Sequence, residues 1–251
     1  MTAPSLGLEG AVVLVTGAAS GIGAAVAEAV VEHGATPVLV DRAREQVEAT
    51  AARLGGGGTA IAADVTDEAS VASAMRAAAD AHGGIDVLVT CAGISGPFGT
   101  PLERTTLDDW RRVLDVNVTG AFLALKHALP VLRASSRGAA VLLASDSAHV
   151  ATPGMVPYGV SKAAVVQLAR ATSVETAGAV RVTALCPSIV DTPMSRGDLG
   201  RDGFEDAGFP VHRAADVAWH VLLLASPRAV GIHGTTLIAD FGFGARSSLP
   251  A

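Results

Sequence analysis

Tyr158 is the only tyrosine of this 251-residue chain, and it stands four residues before Lys162 in the run Tyr158-Gly159-Val160-Ser161-Lys162. Four residues are one helical turn, so on a helix the phenol and the ammonium project from the same face. A phenol with an ordinary pKa near 10 is a poor base at neutral pH. A cation held about 4 Å away, at an effective dielectric near 20, contributes roughly 4 kcal/mol, or about three pKa units. Such a pair can do acid–base chemistry at an oxygen. Surface Tyr–Lys pairs with this spacing are also common, so the pair needs company before it implies chemistry.

Two polar residues offer that company. Ser145 ends the apolar run Ala140-Val141-Leu142-Leu143-Ala144, 13 residues before Tyr158. A strand end and a helix start can adjoin in space despite that separation. Ser147 is the competing hydroxyl, and both serines also read as turn formers. Asn117 stands among Val113, Leu114, Val116 and Val118 in a helical stretch. A buried amide there must bond backbone or hold water. No catalytic histidine and no Gly-x-Ser-x-Gly elbow surrounds Ser145, which leaves acyl transfer with little support. The seven histidines show no metal-ligand spacing, so no metal is implied.

A second constellation lies near the N-terminus. The strand-like run Ala11–Thr16 leads into Gly17-Ala18-Ala19-Ser20-Gly21-Ile22-Gly23 and then a helix. Glycines let backbone approach a pyrophosphate, and a helix N-terminus supplies free N–H groups and partial positive charge. The spacing is Gly-x-x-x-Gly-x-Gly, and its place between strand and helix makes it a dinucleotide signal. Asp41 closes the second strand 18 residues after Gly23, where an acid can bond ribose hydroxyls or cap the next helix. An acid on the ribose disfavours a 2′-phosphate, by roughly 4 kcal/mol at about 4 Å before screening. Arg42 offsets part of that, so the expectation is NAD in preference to NADP. Asp64-Val65 follows the third strand and reads equally as an adenine contact or a cap for the helix starting at Asp67. Thr90-Cys91-Ala92-Gly93 ends the fourth strand with small residues past which a cofactor can run.

The elements that must position these groups alternate along the chain. Strand-like runs fall at 11–16, 36–40, 59–63, 85–90, 139–145, 179–186 and 235–239. Helical patterns lie between them at 21–33, 43–54, 67–82, 106–132, 157–177 and 213–225. The strands are almost continuously apolar, as expected when helices cover both faces. This rhythm predicts an α/β, doubly wound (Rossmann-like) parallel sheet with right-handed crossovers. The expectation is a single domain over 1–251, with Gly55–Gly58 as a connector and a substrate-covering loop or short helix pair near 194–212.

Composition closes off other classes. Half the residues are apolar, 17% are charged and the formal net charge is −6. Without a basic cluster, nucleic acid and anionic membrane are not expected partners. The start Met1-Thr2-Ala3-Pro4-Ser5-Leu6-Gly7 lacks the pattern of a secretory signal, and no apolar run approaches a membrane span. Cys91 and Cys186 read as buried free thiols, which fits a cytoplasmic location.

Taken together, Thr16-Gly17-x-x-x-Gly21-Ile22-Gly23, Asp64, Ala92-Gly93, Asn117, Ser145 and Tyr158-x-x-x-Lys162, in that order, resemble the short-chain dehydrogenase/reductase family. The similarity is to its single-domain branch of roughly 250 residues and runs from Leu8 to about Gly242. The resemblance implies a seven-stranded sheet in the order 3-2-1-4-5-6-7, usually in a homotetramer or homodimer. It implies a nicotinamide-dependent oxidoreductase acting on a small alcohol or ketone. Tyr158 would then be the general acid/base, Lys162 would lower its pKa and hold the nicotinamide ribose, and Ser145 would bond the reacting oxygen. Asn117 would fix a water linking Lys162 to solvent. Gly17, Ser20, Gly21, Ile22 and Gly23 would meet the pyrophosphate, Asp41 and Arg42 the ribose, and Asp64 and Val65 the adenine. Ala92 and Gly93 would line the cofactor's path, and Pro187, Val190 and Thr192 would hold the carboxamide.

Several positions depart from the family pattern. Thr90-Cys91-Ala92-Gly93 replaces Asn-Asn-Ala-Gly, which predicts repacking without loss of activity. Pro187-Ser188 replaces Pro-Gly and puts a side chain near the nicotinamide edge. Asp240-Phe241-Gly242 replaces Asp-Gly-Gly and sends Phe241 to a subunit interface or over a neighbouring pocket. His149 either borders the substrate pocket or is a plain loop histidine. Two other readings share the fold: a catalytically silent nucleotide-binding sensor or scaffold, and a cyclic-diol dehydrogenase using the same site.

Overall fold

The computed structural model describes residues 5–246; residues 1–4 and 247–251, and with them the first part of the N-terminal run, lie outside the described residues. In chain order the elements are β1 (Val12–Thr16), α1 (Gly21–Glu32), β2 (Thr36–Asp41), α2 (Arg44–Arg53), β3 (Thr59–Ala62), α3 (Glu68–His82) and β4 (Val87–Thr90). Then come α4 (Leu107–Leu114), a π-helical turn (Asp115–Thr119), α5 (Gly120–Leu132), β5 (Ala139–Leu143), a 3₁₀ turn (Asp146–Ala148), α6 (Val156–Thr176) and β6 (Arg181–Pro187). The chain ends with β7 (Val190–Asp191), α7 (Pro193–Leu199), β8 (His212–Arg213), α8 (Ala214–Ala225) and β9 (Thr236–Ala239). Each expected strand and helix is present within a few residues.

Seven strands form one parallel sheet in the order β3-β2-β1-β4-β5-β6-β9. This is the expected order. Side chains alternate along each strand, so both faces of an apolar run are used. Val13 and Val15 of β1 pack with Val26 and Val30 of α1 and Val221 of α8 on one face. Leu14 points the other way, into a cluster with Met75 of α3, Leu125 of α5 and Val165 of α6. Each such side chain contributes roughly 1.5–3 kcal/mol by leaving water. The sheet is therefore rigid in its middle, and the loops that follow β1, β4, β5 and β6 emerge at its carboxyl edge, where open α/β sheets bind ligands.

Three local features differ from the expectation. The 106–132 helix is interrupted by the π-helical turn, with Gly120 N–H reaching back to the Asp115 carbonyl. A single extra residue of this kind is invisible to a 3.6-residue pattern. Within 194–212 there is one short helix, α7, and a two-residue parallel pairing of β7 with β8, whose Val190 lies opposite His212. Cys91 is half-buried and Cys186 fully buried, and both are free thiols. Among the described residues, no helix is long and apolar enough to cross a membrane, and no group of three metal-ligating side chains occurs.

Candidate active site

Tyr158 and Lys162 lie on the first turns of α6, which Pro157 opens with its backbone angle already set for helix. Lys162 is 5% exposed, and its Nζ lies 5.5 Å from the centre of the Tyr158 ring. That ammonium donates to the Leu143 carbonyl at 3.0 Å, at the end of β5. Burial pushes the Lys162 pKa down to about 8, with Cys91 and Cys186 acting weakly in the opposite direction. Two residues beyond Leu143 stands Ser145, whose hydroxyl donates to Asp146 Oδ1 at 2.9 Å and accepts the Ser147 N–H at 3.2 Å.

The phenol behaves differently from the expectation that its lysine neighbour would lower its pKa. Burial pushes Tyr158 up to about 12; a hydrogen bond with Ser145 works downward, and the charges of Asp146 and Asp198 add to the rise. Desolvation of the phenol is the largest cause: Lys162 Nζ donates a hydrogen bond to Leu143 and lies 5.5 Å from the ring centre, while Asp146 and Asp198 disfavour a phenolate.

Asn117, at the middle of the π-helical turn, is 2% exposed. Its Nδ2 donates to the Ile94 carbonyl and to Ser161 Oγ, both at 2.9 Å, and its Oδ1 accepts the Ile94 N–H at 2.8 Å. The side chain thus ties the loop after β4 to the Tyr158–Lys162 helix. Ser161 itself donates to the Tyr158 carbonyl at 2.7 Å. A Cβ added to Gly93 would stand 3.3 Å from Asn117 Oδ1 and 3.5 Å from Lys162 Nζ, so this glycine keeps the lysine close to the loop. The four residues Asn117, Ser145, Tyr158 and Lys162 are brought together at the carboxyl edge of the sheet.

The glycine loop after β1 packs on the loop after β4. Gly17 holds φ at +71°, and a Cβ there would lie 2.5 Å from Ala92 N. Gly23 packs as closely, its added Cβ falling 2.2 Å from the Gly17 carbonyl oxygen. Gly21 faces Thr192, the residue that caps α7. Ser20, at the N-cap of α1, makes no side-chain cap bond, so the first N–H groups of that helix, on Gly21, Ile22 and Gly23, remain free for an anion. The buried Ser188 hydroxyl, directly after Pro187 in the chain, has no partner in this structure. An uncapped helix start, glycines held against backbone and this orphaned hydroxyl fit a dinucleotide.

The residues after β2 and β3 differ from expectation in part. Asp41 does not cap α2 through its own N-cap position, which belongs to Ala43. Its Oδ1 accepts the Ala43 N–H at 3.0 Å and its Oδ2 accepts the Ala19 N–H at 3.1 Å, so it braces the glycine loop. Asp64 is not the cap of α3; Asp67 is, accepting the Ala69 N–H at 3.0 Å. Asp64 instead closes a turn on the backbone and hydroxyl of Thr66, which hold its carboxyl below the usual range. Val65 packs on Gly120, where an added Cβ would meet it at 2.8 Å. Arg42 and Asp64 line a polar surface cavity with Arg111 and Asp115.

Of the departures, Phe241 lies over a neighbouring hollow: its ring stacks on His212, centroids 4.1 Å apart, and is 54% exposed. His149 is exposed, with Nε2 3.8 Å from Cys186 Sγ of β6. Asp146, Asp198 and Ser161 escaped the sequence reading. Asp146 adjoins Ser145 and carried a signal in that adjacency; Asp198 carried none, because its place depends on how α7 folds back.

Residues 17–244 match a family model described as enoyl-(acyl carrier protein) reductase. The chain belongs to the short-chain dehydrogenase/reductase family. It is 38% identical over 237 residues to a mitochondrial borneol dehydrogenase of Lavandula x intermedia, covering 94% of this chain and 91% of the relative. It is 39% identical over 240 residues to cis-4-hydroxycyclohexanecarboxylate dehydrogenase of Sinomonas cyclohexanicum, covering 92% and 96%. Among solved structures, a 3-ketoacyl-(acyl-carrier-protein) reductase from Brucella melitensis complexed with NADH matches with a TM-score of 0.88 at 33% identity, over 94% of this chain and 99% of that one. These matches establish a short-chain dehydrogenase/reductase enzyme.

Proposed function

We propose that this oxidoreductase interconverts a small secondary alcohol and its ketone with NAD in preference to NADP. The observation that carries the reading is the convergence of Tyr158, Ser145, Lys162 and Asn117 at the carboxyl edge of a sheet whose first helix starts uncapped. Gly17, Ser20, Gly21, Ile22 and Gly23 hold the pyrophosphate, Asp41 with Arg42 the adenosine ribose, and Asp64 and Val65 the adenine side. Ala92 and Gly93 line the path, and Pro187, Val190 and Thr192 hold the carboxamide end. When bound, the nicotinamide supplies the hydride acceptor or donor.

The chain's own residues do the proton work. Tyr158 gives a proton to the carbonyl oxygen in reduction and takes it from the alcohol in oxidation. Ser145 hydrogen-bonds the same oxygen, and Lys162 holds the nicotinamide ribose while its charge favours the phenolate as it forms. Asn117 fixes the lysine helix against the loop after β4 and supports a water path from Lys162 to solvent. The acidic Asp41 beside the ribose supports NAD, since a 2′-phosphate would meet a like charge.

The chain works as one domain, in a homotetramer or homodimer. Exposed apolar side chains on α8 and β9, namely Trp219, Leu223 and Ile238, support that assembly, because β9 is a sheet edge. The free thiols support a cytoplasmic location. The testing experiment is a panel of secondary alcohols and ketones followed by nicotinamide absorbance with each cofactor. Turnover with NAD above that with NADP is expected; a clear preference for NADP would overturn the reading of Asp41.

A further inference from the structure

Two carboxylates that the proposed reaction does not use border the phenol of Tyr158. Asp146 follows Ser145 in the chain and accepts a hydrogen bond from its hydroxyl. Asp198 comes from the opposite side, on α7, where its Oδ1 accepts the Ser95 hydroxyl at 2.8 Å across 103 residues of sequence. Ser95 directly follows Ile94, which Asn117 clamps from both sides, so Asp198 is anchored to the same segment that packs against Lys162. No described residue donates to the second oxygen of Asp198, and the residue is only half-buried. Both carboxylates are near enough to the phenol to raise its pKa.

Two cations of this region are engaged elsewhere. Arg196, two residues before Asp198 on α7, is held in a two-pronged pair by Asp191 at 2.6 and 2.9 Å. Lys162 is turned to Leu143. An anionic group on the substrate would therefore enter beside two carboxylates with Arg196 already paired. A hydroxyl would find in Asp198 a half-desolvated acceptor, and such charge-assisted bonds are stronger than neutral ones.

Building on the reading of the protein as an alcohol/ketone oxidoreductase, we propose that Asp198 is a specificity-determining residue. Its free oxygen accepts a hydrogen bond from a second hydroxyl, so that the substrate class is a neutral diol or polyol and not a hydroxy acid. The second hydroxyl lies on the side of the reacting carbon that faces α7. Discrimination of this kind is large when a site's polar group would otherwise stay unpaired.

The test compares cyclohexanol, 1,2- and 1,4-cyclohexanediol and the hydroxycyclohexanecarboxylates of matching geometry, with NAD, in wild type and in Asp198→Asn and Asp198→Ala. In wild type, kcat/KM for the better diol should exceed those for the mono-ol and the acid by about tenfold or more, the scale of one good hydrogen bond. In Asp198→Ala the diol-to-mono-ol ratio should fall by about tenfold, chiefly through KM. In Asp198→Asn the acid-to-diol ratio should rise. Ratios unchanged by either variant, or a wild-type preference for the acid, would overturn the proposal. If none of these compounds turns over, ligand-observed NMR with the NADH-loaded protein reads the same preference as binding. A diol bound by wild type and lost in Asp198→Ala supports the proposal, and equal binding overturns it. Failure of the oxidoreductase reading shows separately, as no nicotinamide turnover with any alcohol or ketone.

Discussion

Lys162 Nζ donates a hydrogen bond to the Leu143 carbonyl at 3.0 Å, and its charge lies 5.5 Å from the centre of the Tyr158 ring. The one-turn spacing of the two residues therefore fixes position without by itself making the phenol acidic. In this structure burial wins, pushing Tyr158 up to about 12. A neutral phenol is the proton donor that ketone reduction needs, whereas alcohol oxidation needs it deprotonated.

The pH dependence follows with a definite sign. After burial, the carboxylates of Asp146 and Asp198 raise the Tyr158 pKa, so removing one negative charge lowers it. Asp146→Asn should move the basic-form limb of oxidative kcat/KM to lower pH and leave the reductive direction weaker at high pH. Full pH–rate profiles in both directions check this; a shift to higher pH would contradict the electrostatic account.

Lys162 carries a stability cost. Its folded pKa of about 8, against an ordinary 10.5, corresponds to about 3 kcal/mol disfavouring the charged form in the fold. Because the folded value is depressed, the penalty is fully present below pH 8 and is relieved as pH rises toward 10.5. Lys162→Met should therefore be more stable than wild type at pH 7, with the gap closing by pH 10, while losing turnover. Denaturant unfolding at several pH values measures it, and a variant less stable at pH 7 would refute the cost.

Asn117 should be expensive to remove. Truncating it to alanine leaves the Ile94 N–H and carbonyl and the Ser161 hydroxyl without their buried partner. Leaving such groups unpaired costs roughly 2–4 kcal/mol in total. Chemical denaturation of Asn117→Ala should show that loss, together with slower turnover as the loop after β4 releases α6. Unaltered stability would mean that the clamp is dispensable.

Gly17→Ala tests the glycine loop as a cofactor site. The position has φ of +71° and its Cβ would fall 2.5 Å from Ala92 N, so the loop must move. Dinucleotide affinity, read by fluorescence titration with NADH, should drop by about a hundredfold or more in a protein that still folds. Wild-type affinity would remove the glycine loop from the binding site.

The sheet was legible in the sequence because its strands are unbroken apolar runs such as Val12–Thr16 and Ala139–Leu143, buried from both faces. The inner site was legible because Tyr158 and Lys162 are one turn apart and Asn117 is a polar residue in an apolar helix. What stayed hidden depends on geometry that no pattern carries. The π-helical turn that aims Asn117 adds one residue to a helix without changing its composition. Asp64 and Asp67 both resemble caps, and only backbone angles decide between them. Asp198 meets Ser95 because α7 folds over the loop after β4, a contact between residues far apart in sequence.

The central claim is that Tyr158 transfers the proton at the carbon–oxygen bond. Its most direct measurement is turnover by Tyr158→Phe with a wild-type substrate, alongside NADH affinity on the same preparation. The account predicts turnover reduced by at least about a thousandfold, in line with the upper range for removing a general acid–base group, with NADH affinity within a few-fold of wild type. Turnover close to wild type with NADH still bound would contradict it.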